Sequence, residues 1–292
     1  MCSMPTGNEK LKLLITGASG QLGSELKELL VDDPSFDCFF LDRKALPLEH
    51  TALIQDVLGM YQPNVIIHTA AYTAVDKAEN EPDLADRVNH LGSEEIAKYC
   101  RLHGVKLIAI STDYVFDGAS STPLSEDAPT MPINTYGLTK LKGEQAIQKW
   151  APDSVIIRTS WVYSSYGNNF VKTMIKLMKS RDELSVVNDQ VGSPTYAQDL
   201  ALAIVSILLP ERWVSGVYHY SNAGQASWYD FAVAIRDLAG LSCAIQGVST
   251  ADYPTVAKRP AYSLLDKTKI KAVYGVLVPA WRSSLERMLG KA

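Results

Sequence analysis

Leu11-Lys-Leu-Leu-Ile-Thr-Gly-Ala-Ser-Gly-Gln-Leu-Gly-Ser-Glu-Leu-Lys-Glu-Leu-Leu30 reads as a strand, a glycine turn and a helix. The apolar run Leu11–Ile15 predicts the strand and Ser24–Leu30 the helix. Between them Gly17 permits a tight turn, Gly20 lets backbone approach a pyrophosphate, and Gly23 lets helix pack closely on strand. A helix N-terminus placed there offers amide donors to phosphates. Glycines at that junction, close to the start of the chain, point to a dinucleotide.

Past the first helix, Phe39-Phe-Leu41 predicts a second strand ending at Asp42-Arg43. An acidic residue about 20 positions past the glycines is placed to take the ribose hydroxyls, which favours NADH. Arg43 either lies over an adenine, meets a 2'-phosphate of NADPH, or is a solvated charge. Further apolar runs alternate with helical patterns. A helix around Thr51–Met60 precedes a strand at Asn64–His68, and one long helix is predicted over Pro82–Leu102 before the strand Val105–Ile110. The strand Ser154–Thr159 follows a helix carrying Tyr136 and Lys140. Such alternation predicts an α/β fold with a Rossmann-type, doubly wound parallel sheet whose ligands lie at the carboxyl ends of the strands. Those ends carry Gly17–Gly23, Asp42, Thr69-Ala70-Ala71-Tyr72, Ser111-Thr112-Asp113 and Ser160-Trp161.

Beyond Trp161 the alternation breaks. A helix is predicted near Phe170–Lys179, a loop over Val187–Tyr196, a helix over Asp199–Leu209, a strand over Gly216–Ser221, and helices over Trp228–Ala239 and Trp281–Leu289. The expected organisation is a dinucleotide-binding domain over 1–160 and 195–222, interleaved with a smaller, largely C-terminal substrate-binding domain over 161–194 and 223–292, with substrate between them.

The 292 residues, 47% hydrophobic with a net charge of -4, are those of an ordinary globular chain. The acidic balance gives no electrostatic case for nucleic acid. No run approaches the roughly 20 apolar residues of a membrane span, and Met1–Glu9 lacks a signal peptide's apolar core, so the cytoplasm is the expected location. Cys2, Cys38, Cys100 and Cys243 form no C-x-x-C pair and the histidines show no ligand spacing, so neither a disulfide frame nor a metal site is expected.

Tyr136 and Lys140 are four residues apart, one helical turn, and share a face. An ammonium beside a phenol favours the phenolate, which predicts a tyrosine pKa drawn down toward working pH and able to exchange a proton with a carbonyl oxygen.

The GxxGxxG spacing and the YxxxK pair are typical of the short-chain dehydrogenase/reductase superfamily. Within it, TGASGQLG (16–23), AAYTAVDKAE (70–79), STDYVFDG (111–118), NTYGLTKLKGE (134–144), RTSWVY (158–163), GNNFVKTM (167–174), VNDQVGSPT (187–195) and RPAYSLLD (259–266) together resemble the dTDP-4-dehydrorhamnose reductase family over nearly the whole chain. The resemblance implies NADPH- or NADH-dependent reduction of the 4-keto group of dTDP-4-dehydro-β-L-rhamnose, the last step to dTDP-L-rhamnose. It makes Tyr136 the proton donor, gives Lys140 the nicotinamide ribose, and has Thr112 hydrogen-bond the same oxygen. Asp113 helps bind the sugar or orients its loop, and Trp161 walls the deoxysugar. Asn168 and Asn169 either contact the nucleotide diphosphate or cap local backbone. Arg259 either grips the substrate phosphates or makes an interdomain ion pair. On the cofactor side Gln21 and Leu22 offer amides, and Ala70, Ala71 and Tyr72 pass under the adenosine and pyrophosphate, beside Ser111. Asp76 and Glu79 are expected to pin a helix start.

Two departures stand out. Where relatives carry an LDIxD-like segment this chain has Leu46-Pro-Leu-Glu49, which leaves adenine recognition to Leu48 and a neighbouring amide. Glu25 matches one glutamate of a magnesium-linked dimer seen in some members, but Gln198 replaces the second. A neutral amide is a poor magnesium ligand, so no bridge is expected, and the chain is a monomer or a homodimer. Two other readings share these motifs: reduction of another dTDP-4-keto-6-deoxyhexose, and a noncatalytic cofactor-binding subunit similar to the methionine adenosyltransferase beta subunit. Intact Thr112, Tyr136, Lys140 and Trp161 argue against the second.

Overall fold

The structure is a computed structural model that describes residues 10–208 and 213–290. The opening Met1–Glu9 and Leu209, the last residue of a predicted helix, lie outside the described residues. In chain order the elements are β1 (Leu11–Thr16), α1 (Gln21–Leu30), β2 (Phe36–Leu41), α2 (Ile54–Tyr61), β3 (Val65–His68), α3 (Val75–Ala78), α4 (Pro82–Asp86), α5 (Gly92–His103), β4 (Lys106–Thr112), α6 (Thr135–Trp150) and β5 (Val155–Thr159). They continue as β6 (Val162–Tyr163), α7 (Phe170–Met178), β7 (Glu183–Val187), β8 (Val191–Gly192), β9 (Thr195–Tyr196), α8 (Ala197–Ile207), β10 (Gly216–His219), β11 (Ala226–Ser227), α9 (Trp228–Leu238), β12 (Ala244–Val248), α10 (Thr268–Tyr274) and α11 (Trp281–Gly290).

Six strands form one sheet in the order β10-β5-β4-β3-β1-β2, every pairing parallel. Side chains alternate across a strand, so β1 divides its residues between two cores. Leu13 and Ile15 pack with Leu26 and Leu30 of α1, Ile204 of α8, and Ile270 and Tyr274 of α10. Leu14 faces the other way, toward Leu58 of α2, Ile96 of α5 and Ile147 of α6. Each such fully buried aliphatic side chain favours the fold by roughly 1.5–3 kcal/mol over exposure. After β1 the chain goes to β2 on one side and to β3 on the other. The carboxyl ends of β1 and β3 therefore flank a topological switch point, where open sheets of this kind bind ligands.

A separate core gathers Tyr163, Val171, Met174, Leu184, Phe231, Ile235, Leu285 and Met288. Two assignments shift: α10, predicted in the second unit, packs on the sheet, while Tyr196, predicted in the first, lies in the second core. Local patterns also miss pairing. The predicted loop over 187–196 contains β8 and β9, which bond with β11 and β6, while β7 pairs with β12. The predicted Pro82–Leu102 helix is interrupted by a π turn at Arg87–Leu91. α6 packs against that turn so closely that a Cβ on Gly143 would meet the Asn89 carbonyl at 2.3 Å. Among the described residues, no helix is long and apolar enough to cross a membrane.

Candidate active site

A cleft of about 680 Å³ opens over the switch point, and its lining includes every strand-end segment named above. At its phosphate end Gly17 has φ +67°, a conformation L side chains avoid, and a Cβ there would lie 2.8 Å from the Ala70 backbone. A Cβ on Gly23 would meet the Gly17 carbonyl at 2.3 Å, so this glycine lets α1 start tight against its own turn. Gly20 caps α1 with no side-chain acceptor, and the first turn carries no acidic residue. The opening amides of α1, with the positive end of its dipole, thus face the cleft without a protein anion, as a phosphate requires.

At the rim, Asp42 Oδ1 accepts from the backbone amides of Lys44 and Ala45, both at 2.9 Å. Arg43 donates to Glu49 Oε1 from Nη2 at 2.7 Å and from Nε at 3.1 Å. Sequence reasoning assigned no function to Glu49. Leu46 and Leu48 are buried beside it and line the cleft. Ala70, Ala71 and Tyr72 form the opposite lip. Asn89, buried in the π turn, holds Tyr72 at both backbone groups: its Oδ1 accepts from the amide at 2.8 Å and its Nδ2 donates to the carbonyl at 3.1 Å.

The reactive end is built where β4 meets α6. Thr112 Oγ1 accepts from the Tyr114 amide and donates to Asp113 Oδ1, each at 3.2 Å. Asn134 caps α6 by accepting from the Gly137 amide at 2.7 Å, and Glu79 accepts from the Thr135 amide at 2.8 Å and hydroxyl at 2.9 Å. Glu79 therefore pins the start of α6. Gly137 brings that first turn onto the strand end, since a Cβ there would sit 2.1 Å from the Tyr114 carbonyl oxygen. Tyr136 meets Tyr114 edge-on, ring centroids 5.6 Å apart. Lys140 Nζ donates to the Ile110 carbonyl at 2.7 Å.

One prediction is corrected here. Lys140 does not draw the Tyr136 phenol toward neutrality; burial pushes it up to about 12, against the opposing effect of the nearby Thr112 hydroxyl. Lys140 is itself brought down to about 8 by burial, against the pull of Glu144. At each group desolvation outweighs the favourable contact it makes, with Thr112 for the phenol and Glu144 for the ammonium. Burial likewise raises Asp113 to about 6. The Ser111 hydroxyl is buried with no hydrogen-bond partner, a polar atom beside the cleft that a bound cofactor would satisfy.

Trp161, Asn168 and Asn169 line the far end. Asn169 caps α7, accepting from the Lys172 amide at 3.1 Å, and donates to Gln21 Oε1 at 3.0 Å, which ties α7 to the phosphate turn. Arg259 alone of the predicted site residues does not line the cleft. Its Nη2 lies 2.7 Å from Asp76 Oδ2, the interdomain ion pair weighed above. Asp76, in the first turn of α3, thus gives its carboxylate to Arg259 and to the Ala257 amide. Trp228 was missed: it lines the cleft and stacks on Trp161. Nothing local in the sequence joins two tryptophans that far apart. Glu25, the predicted magnesium candidate, is buried and accepts from the Ser164 hydroxyl at 2.6 Å.

A glycine cradle at the switch point of a parallel sheet, sharing one cleft with a threonine at a strand end and a Tyr/Lys pair on a helix, defines a nicotinamide-dependent short-chain dehydrogenase/reductase. The sequence profile of the RmlD substrate-binding domain matches residues 11–292. The chain belongs to that family, the dTDP-4-dehydrorhamnose reductases. It is 42% identical to the dTDP-4-dehydrorhamnose reductase of Aggregatibacter actinomycetemcomitans, over 95% of this chain and 98% of that one. The crystal structure of the Clostridium acetobutylicum reductase matches with a TM-score of 0.93 at 39% identity, covering 96% and 99% of the two chains. That of the Bacillus anthracis reductase, in complex with NADP, matches with a TM-score of 0.92 at 42% identity, covering 97% and 100%.

Proposed function

We propose that this chain reduces the C4 keto group of dTDP-4-dehydro-β-L-rhamnose to give dTDP-L-rhamnose, using NADPH or NADH. The observation that carries the reading is the joining, in one cleft, of the phosphate cradle at Gly17–Gly23 to the Thr112, Tyr136 and Lys140 cluster. The nicotinamide cofactor, when bound, supplies the hydride. Its pyrophosphate fits the amides of Gln21 and Leu22. Asp42 takes the adenosine ribose, Arg43 and Leu48 flank the adenine, and Ser111 offers its unpartnered hydroxyl.

Tyr136 is the general acid. A phenol raised to about 12 stays protonated throughout the physiological range, so it meets the carbonyl oxygen loaded with its proton. The threonine hydroxyl has one proton, given to Asp113 in this structure, so Thr112 must rotate to donate to the substrate oxygen. Lys140 has two donors beyond the one on Ile110, enough to hold the nicotinamide ribose and stabilise the tyrosinate left after transfer. Trp161 walls the sugar, and Asn168 and Asn169 face the diphosphate. Arg259 reaches that diphosphate only by releasing Asp76. Apart from α10, which packs on the sheet, and Tyr196, which lies in the second core, residues 1–160 and 195–222 serve mainly the cofactor, and 161–194 and 223–292 the substrate. We assign the protein to the cytoplasm, where unpaired Cys38, Cys100 and Cys243 are at home, as a monomer or homodimer with no magnesium bridge.

The test is NADPH and NADH oxidation with enzymatically generated dTDP-4-dehydro-L-rhamnose, the product identified by chromatography. Formation of dTDP-L-rhamnose is expected. Cofactor binding with no turnover of this sugar would overturn the proposal.

A further inference from the structure

Trp161 has a backbone that its proposed contact with sugar does not explain. Its φ is 48°, a left-handed conformation that a bulky side chain abandons unless its surroundings hold it there. The surroundings are specific. Its indole lies on that of Trp228 with ring centroids 3.6 Å apart and planes within 10°. Gly192 leaves the space the indole needs, since a Cβ there would be 3.0 Å from Cε2 and Cζ2. Trp228 is held as firmly: it opens α9 directly after a capping box between Ser227 and Asp230, and Phe170 packs on it at 4.6 Å. β11 pairs with β8 so that Ala226 lies opposite Gly192, which brings these distant segments into register.

Both indoles line the cleft, and neither is fully buried. One face of Trp161 is already covered by another ring, so the wall at this end is a two-indole slab. Such a slab offers N–H donors and no acceptor. A methyl group rests against it without loss, whereas a hydroxymethyl would leave its O–H without a partner on that side. We infer that Trp228 is a specificity-determining residue: stacked on Trp161, it completes an apolar wall that selects nucleotide sugars bearing a methyl over those bearing a hydroxymethyl at the exocyclic carbon. The choice of sugar class rests on the activity proposed above.

The test is calorimetric titration of the NADPH-loaded protein with dTDP-L-rhamnose and with dTDP-L-mannose, which differ only in that group. Wild type should favour the 6-deoxy sugar by about tenfold or more, the scale set by one small group in an apolar pocket. Trp228→Ala should bring the two affinities within about threefold of each other, keep its affinity for NADPH, and lose the far-ultraviolet exciton couplet of the stacked indoles; Trp228→Phe should keep most of the preference. An undiminished preference in Trp228→Ala, or no preference in wild type, overturns the inference. Should Trp228→Ala fail to fold, Trp228→Gln, which keeps bulk but brings an amide acceptor to the wall, is judged by the same two outcomes. The activity stands or falls separately, on turnover of the 4-keto sugar by wild type.

Discussion

Replacing Gly137 by alanine should damage catalysis more than stability. The residue lies one position after Tyr136, in the first turn of α6, where a Cβ would sit 2.1 Å from the Tyr114 carbonyl oxygen. Ordinary contact begins at 3.4 Å, so strand end and helix must separate by about 1.3 Å. Tyr114 is held by Thr112, whose hydroxyl accepts from its amide, so that displacement opens the distance between the proposed acid and the second hydroxyl. A misplacement of about 1 Å at a reacting centre costs on the order of 100-fold in rate. Overpacking costs about 1–3 kcal/mol, a few degrees of melting temperature in a chain of this size. Steady-state turnover with dTDP-4-dehydro-L-rhamnose, beside a thermal melt, measures both. Gly59 is the control: it lies inside α2, a Cβ added there would meet nothing within 4 Å, and alanine at this position should stabilise by roughly 0.5–1 kcal/mol with turnover unchanged. A Gly137→Ala protein with wild-type kcat would refute the view that close approach at this glycine sets the geometry of the site.

Two further outcomes concern buried charge. Glu144 and Arg158 form an ion pair with only 3% and 5% of their side chains exposed, so Glu144→Gln strands a guanidinium and should cost about 3–5 kcal/mol, read as a melting temperature lower by roughly 10 °C. Pairing it with Arg158→Met should recover most of that loss; a single variant as stable as wild type would show that the pair contributes nothing. Lys140 titrates near 8 when folded against an ordinary 10.5, so between those values the unfolded chain binds more protons and the lysine's destabilising effect fades as pH rises. Relative to Lys140→Met, wild type should therefore gain stability from pH 8 to 10.5, and parallel pH profiles of the two proteins would contradict the assignment.

The sheet was legible because its signals are local. Leu11–Ile15 and Val155–Ile157 are short apolar runs bounded by turn signals, as a strand buried on both faces reads, and Gly17 stands where only a positive φ closes the turn. The cleft lining followed from the strand ends by topology alone. What escaped depends on partners distant in sequence. The π turn at Arg87–Leu91 answers the approach of α6, β8 and β9 are two-residue strands defined by their partners, and Trp228 joins the site by stacking on Trp161, 67 positions away. The pKa of Tyr136 failed for a related reason. Spacing along a helix shows that Lys140 is near but not how far the surrounding protein desolvates the phenol nor that the ammonium has a carbonyl of its own. Arg259 was read both ways, and its partner Asp76, 183 positions away, decides its resting place.

The most direct test of the account is single-turnover reduction of dTDP-4-dehydro-L-rhamnose by Tyr136→Phe with NADPH already bound. The ring and its packing remain while the proton donor is removed. NADPH affinity should match wild type and the rate should fall by about 10²–10⁴. Wild-type turnover by this variant would show that the proton comes from elsewhere and that the cluster around Thr112, Tyr136 and Lys140 is not the acid machinery proposed for it.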